Sequence, residues 1–304
     1  MKNKYSSIFS GVGVAVVTPF DDNNNIDESA IYNISENLLK SKISYVVIQG
    51  TTGESSTLDE KEKTKINQIF IKAFKNKIPL VLGLGSNNTN KLCDQIKNTD
   101  LDGFEAIMSV CPYYNKPSQD GIYQHFLKIS EVSPKPIILY NIPSRTGVNM
   151  SNETIINIFK HSNNVIGVKE ASGDVGRIKE LESSLKDSFL IISGDDFTMI
   201  DSIRNGACGI ISVAANVYPS IMVETYNKLI LEKQNKKINK DLNDSNFILK
   251  NFIDLIFQDS NPSGIKYALS ILNLCKSKVR LPLIDISENL KSKIFNEIKN
   301  LKIN

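Results

Sequence analysis

Histidine is nearly missing from this chain: His125 and His161 are the two it has in 304 residues. Both fall in helix-like segments, "YQHF" and "FKHS", and read as surface or helix-packing residues. A catalytic zinc site usually takes several histidines, so no catalytic metal and no cofactor are expected. The four cysteines, Cys93, Cys111, Cys208 and Cys275, form no C-x-x-C pair. They read as buried thiols of a reducing compartment, the cytoplasm. No stretch reaches the ~18 apolar residues of a membrane helix, so no membrane partner is expected. Nor is there a block of five or more like charges, and the net charge is only +3, which argues against a nucleic-acid partner. The first apolar run ends in Thr18-Pro19-Phe20, without the G-x-G-x-x-G of a dinucleotide fold or a G-x-x-x-x-G-K phosphate loop. The N-terminal "MKNKYSSIFSGVGVAVVTPF" imitates a signal peptide. Its apolar run is β-branched, broken by Gly11 and Gly13, and lacks a small-residue cleavage site, so it reads as a first strand.

What the chain does have is a repeating unit. Short apolar runs recur at 11–17, 45–49, 78–84, 104–110, 136–140, 164–169, 189–193 and 208–213. Between them lie segments whose apolar residues recur every three to four positions, the helix period. Several open on a capping candidate: Asp27, Asp59, Thr89, Ser118, Ser151 and Asp174. Near-continuous apolar strands alternating with amphipathic helices describe a parallel sheet buried on both faces. Eight units in a row predict an α/β fold, a (β/α)8 TIM barrel. After residue 215 the pattern becomes helical with polar breaks. The catalytic barrel is placed at 1–230 and a C-terminal helical extension, packed on the barrel's side as part of one structural unit, at 231–304.

In such a barrel the active site lies at the C-terminal ends of the strands. One of these ends carries a lysine, Lys169 of "VIGVKEASGD". Side chains alternate along a strand, so Val165, Gly167 and Lys169 share a face, as do Pro136, Ile138 and Tyr140. If both sets point inward, an amine and a phenol meet at the mouth, with Gly167 leaving room for the lysine stem. Partial desolvation disfavours the ammonium and frees the amine as a nucleophile, while a phenol beside it shuttles protons. Thr52 can bridge hydroxyl to hydroxyl. This chemistry suits Schiff-base formation with a carbonyl substrate.

The same residue types also have plainer uses. "GTTGES" is an ordinary strand-to-helix turn, but its N–H groups and the hydroxyls of Thr51 and Thr52 can hold a carboxylate. A loop arginine is commonly a solvated charge, but Arg145, five residues after Tyr140, can grip a carboxylate with two parallel hydrogen bonds. Tyr113 and Tyr114 alone read as packing residues. The rival lysine is Lys266, which lies in a helix pattern where a snorkelling stem is expected. Glu170, next to the nucleophile, should face away from it in a structural hydrogen-bonding role.

Together, "GTTGES", "PYYNKPSQDGIYQHF", "YNIPSRTG", "VKEASGD" and "SGDD" resemble the dihydrodipicolinate synthase and N-acetylneuraminate lyase superfamily of class I aldolases. The likeness runs from "GVAVVTPF" to "VRLPL", and the arginine of "SRTG" favours the synthase branch. It implies that Lys169 forms an imine with pyruvate. Tyr140, Thr52 and Tyr114 would form a proton relay, with Tyr114 supplied by a neighbouring subunit. Thr51 and Thr52 would hold the pyruvate carboxylate, Arg145 the carboxylate of L-aspartate 4-semialdehyde, and Gly194 and Ile211 would shape the pocket. A homotetramer built from tight dimers is the family's usual assembly. The rival readings are another pyruvate-dependent aldolase, of the 2-keto-3-deoxy-sugar-acid type, and a catalytically dead sensor.

A lysine effector site is also implied, and it is degenerate. Ser55, Asn87 and Tyr113 remain, but Lys91 stands where lysine-inhibited members carry a carboxylate, and Glu60 and Lys63 where sensitive bacterial members often carry histidines. A cationic Lys91 repels a lysine ligand, so weak or absent feedback inhibition is expected. An inhibition curve that falls at sub-millimolar lysine would overturn this.

Overall fold

A computed structural model describes residues 3–74 and 77–301. Eight parallel strands close into a barrel in chain order, each paired with its sequence neighbours and β1 with β8. They are β1 Gly11–Ala15, β2 Tyr45–Ile48, β3 Leu80–Gly83, β4 Ala106–Val110, β5 Ile137–Asn141, β6 Val165–Glu170, β7 Leu190–Ser193 and β8 Gly209–Ser212. All eight apolar runs of the sequence form strands. The helices are α1 Ser6–Phe9, α2 Glu28–Lys40, α3 Glu60–Phe74, α4 Thr89–Asn98, α5 Gln119–Val132, α6 Pro143–Thr146, α7 Asn152–His161, α8 Val175–Leu185, α9 Met199–Arg204, α10 Pro219–Asn235, α11 Lys250–Gln258, α12 Ser263–Ile271 and α13 Glu288–Leu301.

The strands are buried on both faces, which is why they read as continuous apolar runs. One face packs outward against the helices in the large cluster that includes Val12, Val46, Leu82 and Leu139. The other fills the barrel with Val47, Val81, Met108, Ile138, Ile192 and Ile211. At the N-terminal end, Phe9 of α1 packs edge-on to Tyr45 at 5.3 Å and plugs the bottom.

Strand parity fails at one point. The register between β5 and β6 jumps from Ile137↔Val165 to Ile138↔Gly167, leaving Ile166 as an extra, bulged residue. Ile166 consequently joins the barrel interior and Val165 the outer layer. Strict alternation had placed Val165 on the lysine's face. Beyond the bulge the alternation holds, and Tyr140 pairs in register with Lys169.

Helix starts are set by side-chain capping. Asp27, Ser118, Ser151 and Asp174 each accept from an N–H two or three residues on, and Asp59 accepts from Glu62 while Glu62 reaches back to the Asp59 N–H. Thr89 is not a cap. Asn88 accepts from the Lys91 N–H and takes that position, which frees the Thr89 hydroxyl to meet His125 Nδ1 at 2.9 Å.

His125 packs between helices as expected, edge-on to Phe126, with Nε2 buried and unpartnered among the described residues. Burial pushes its imidazole down to about 4. The folded state holds this histidine neutral, so its contribution is fully present above pH ~6.5 and is lost as pH falls towards ~4. We predict that denaturant titrations at pH 7 and pH 5 show His125→Gln losing less stability on acidification than the wild type, by on the order of 1–2 kcal/mol. Equal losses would contradict the assignment.

The barrel's eighth helix, α10, runs through Asn235, beyond the division placed at 230. The C-terminal extension does not merely lie on the side of the barrel. Asn261, Lys266 and Arg280 all reach the turn after β2 at the mouth.

Candidate active site

The residues just beyond each strand end shape the mouth of the barrel. Lys169, near the end of β6, is buried at 5% exposure, and its Nζ lies 4.3 Å from the centroid of the Tyr140 ring, across the β5–β6 pairing. Lys169 makes no hydrogen bond or ion pair through its side chain among the described residues. The stem owes its path to Gly194, after β7: a Cβ there would stand 2.7 Å from Lys169 Cε and 2.9 Å from Cγ. Gly167, to which strand parity assigned this role, makes room for β7 instead, since its Cβ would meet the Leu190 carbonyl at 2.5 Å. Ile211 is buried in β8 inside the barrel. A Gly194→Ala variant should therefore fold yet displace the amine, cutting the pyruvate trapping that the resemblance implies by about 10²-fold. Borohydride trapping at matched melting temperature measures this, and an unimpaired rate would exclude the steric role.

The sequence offered Lys266 as the rival amine, with a snorkelling stem. The structure places it differently. Lys266 is completely buried, and its Nζ donates to Glu54 Oε1 at 2.5 Å and to the Lys278 carbonyl at 2.8 Å. Burial pushes its ammonium down, and the Glu54 charge opposes this. A helix position facing a buried carboxylate leaves no route for the stem to reach water. Of the two lysines buried among the described residues, then, one is paired with a carboxylate and the other faces a phenol.

The turn after β2 is held from several sides. Gly53 N–H bonds to Gly50 O and Glu54 N–H to Thr51 O, both at 3.1 Å. Thr18 Oγ1 donates to Gly53 O at 2.7 Å. Glu54 adopts φ +50°, a left-handed conformation uncommon outside glycine, and is pinned there by Lys266 and by the Arg280 N–H at 3.0 Å. The Thr51 and Thr52 N–H groups have no partner among the described residues, which suits an incoming carboxylate. Thr52 is buried, and its Oγ1 accepts from Asn261 Nδ2 at 3.1 Å. Sequence reasoning missed Asn261. It lies 209 positions from Thr52, and no local pattern could have signalled it.

Arg145 sits in α6, a single turn after β5 with Pro143 at its start and Gly147 in the left-handed region at its end. The other three arginines are paired, Arg177 with Glu170, Arg204 with Glu232 and Arg280 with Glu62. Arg145 alone makes no ion pair among the described residues, and it is exposed. Glu170 behaves as its position suggested. It turns away from the mouth and accepts from Asn141 Nδ2, the Ser172 N–H at 2.8 Å, and Arg177. Asp196 of "SGDD" also has a structural role, accepting from the Val213 and Ala214 N–H groups and holding the end of β8.

Tyr114 is not brought to the mouth by its own chain's packing. It is 87% exposed, with φ +74°, and Tyr113 is also exposed. Its backbone is tied by Tyr114 N–H to Thr146 O. Asn87 Nδ2 donates to Tyr113 O at 3.2 Å, Lys91 is exposed in the first turn of α4, and Ser55 opens the short turn after Glu54.

The model of the Dihydrodipicolinate synthetase family matches residues 8–301. The 4-hydroxy-tetrahydrodipicolinate synthase of Karelsulcia muelleri (strain GWSS) is 41% identical over 293 residues, covering 96% of this chain and 97% of its own. That of Flavobacterium psychrophilum is 40% identical over 286 residues, covering 94% and 96%. A solved structure of a dihydrodipicolinate synthase variant, characterised as the first monomeric one, superposes with a TM-score of 0.91 at 33% identity over 98% of both chains.

Proposed function

The chain belongs to the dihydrodipicolinate synthetase family, and we infer that it is a lyase of the class I aldolase type. It condenses pyruvate with L-aspartate 4-semialdehyde to 4-hydroxy-tetrahydrodipicolinate in diaminopimelate and lysine biosynthesis. The residue roles proposed for this reaction start at Lys169. Its amine attacks the pyruvate ketone, and loss of water gives the imine. A methyl proton leaves C3 to form the enamine, whose carbon attacks the aldehyde, and the aldehyde oxygen takes up a proton as a hydroxyl. The amine of the second substrate then attacks the imine carbon. The ring C–N bond forms, the bond to Lys169 breaks, and the free amine returns.

The observation that carries this reading is a buried, unpaired strand-end amine over a phenol, Lys169 on Tyr140. Tyr140 and Thr52 are proposed to move the protons, with Tyr114 completing the relay. An 87% exposed, left-handed Tyr114 supports a partner copy that receives it, in a homo-oligomer. The N–H groups of Thr51 and Thr52 are assigned to the pyruvate carboxylate, and unpaired Arg145 to that of the semialdehyde. Gly194 and Ile211 shape the pocket around the imine. A coupled assay tests the reading: condensation with aspartate semialdehyde supports it, whereas cleavage of 2-keto-3-deoxy sugar acids without condensation would favour the other aldolase. With a cationic Lys91 in the effector set of Ser55, Asn87 and Tyr113, millimolar lysine should leave the rate within about two-fold of the uninhibited value.

A further inference from the structure

The C-terminal extension sends one short segment to one short turn. Asn261 meets Thr52, and five residues later Lys266 meets Glu54. The ion pair is fully buried and keeps the segment in place over the turn. Asn261 itself is 7% exposed, and its Oδ1 is buried without a partner among the described residues. An asparagine serving only to tie two segments together would satisfy both ends of its amide. Here the single side-chain bond made goes to the threonine hydroxyl.

A threonine hydroxyl has one hydrogen and two lone pairs. When an N–H donor occupies a lone pair from the extension side, the hydroxyl hydrogen must point elsewhere, and on the relay reading of Thr52 that direction is the mouth. We propose that Asn261 is a positioning residue that sets the polarity of the Thr52 hydroxyl, holding it as a donor towards the reacting groups. The proposal rests on the reading of Thr52 as a member of the proton relay. It makes the extension part of the catalytic apparatus, because the relay's direction is dictated by a residue outside the barrel.

The test is a double-mutant cycle on the full-length enzyme with the condensation assay. Asn261→Ala should lower kcat about ten-fold while the KM for pyruvate stays within two-fold. Adding Asn261→Ala to Thr52→Val should cost nothing further, because the hydroxyl it orients is gone. Asn261→Asp, nearly the same size, covers the case in which the alanine variant fails to fold. Its carboxylate can only accept, so Thr52 must turn its hydrogen away from the mouth. Activity should be lost at least as far as with alanine and should recover relative to wild type as pH falls, when a protonated carboxyl donates again. Losses that multiply in the double variant, with Thr52→Val itself severely impaired, overturn the proposal and leave the relay reading intact. A Thr52→Val enzyme as fast as wild type removes the relay reading and the proposal with it.

Discussion

Replacing Lys169 with alanine should leave a folded protein that no longer captures pyruvate, with kcat/KM lower by about 10⁴-fold or more. The size of the loss comes from the geometry. Lys169 Nζ is the only buried lysine amine at the mouth without a carboxylate partner among the described residues; Lys266 is tied to Glu54. On the proposed mechanism no second amine takes over the bond to the ketone, so removing Nζ removes covalent catalysis outright. The fold should hold, with the melting temperature lowered only by the cavity that the buried stem leaves, since no hydrogen bond or ion pair among the described residues is lost. Borohydride reduction in the presence of pyruvate, with peptide mass mapping of the product, provides the readout. Wild type should carry the adduct on the peptide containing Lys169, and the alanine variant should carry none. An adduct on any other lysine sinks the mechanism.

Breaking the Glu54–Lys266 pair should produce the largest stability loss. Both side chains are completely buried, so Lys266→Met leaves Glu54 as a buried carboxylate with no cation at its Oε1. Such truncations cost about 3–5 kcal/mol. In a chain of this length that corresponds to a fall in Tm on the order of 10 °C. Removing both charges should be far milder: Glu54→Gln combined with Lys266→Met keeps an acceptor for the Arg280 N–H and leaves no unpaired ion. Differential scanning calorimetry of the single and double variants decides it. A single variant within a degree or two of wild type would mean that Glu54 is not held as a buried ion. The single variant should also trap pyruvate more slowly than its folded fraction explains, because Glu54 anchors the turn that presents Thr51 and Thr52.

The barrel was legible because parallel strands buried on both faces must be apolar throughout, and the helices between them must be amphipathic. Lys169 stood out because a charged residue at the end of such a strand can only face the mouth or the helix layer. Strand parity put Lys169 and Tyr140 on the correct face, though the bulge at Ile166 moved Val165 outward and the space for the stem came from Gly194 rather than Gly167. Arg145 could be named by its distance from Tyr140. That it is the arginine left unpaired among the described residues depends on the long-range and local contacts that pair Arg177, Arg204 and Arg280 with carboxylates.

The sequence by itself thus determined the eight-unit barrel, the strand ends and the residue types gathered there, because periodicity and alternation are local properties of the chain. That Lys266 is buried against Glu54 instead of snorkelling, and how the extension touches the turn after β2, were decided by the tertiary structure alone. Glu54 and Lys266 lie 212 positions apart, and Thr52 and Asn261 lie 209 apart. Contacts of that separation leave no periodic trace, since they depend on how helices beyond the barrel fold back over its mouth and not on the pattern of any one segment.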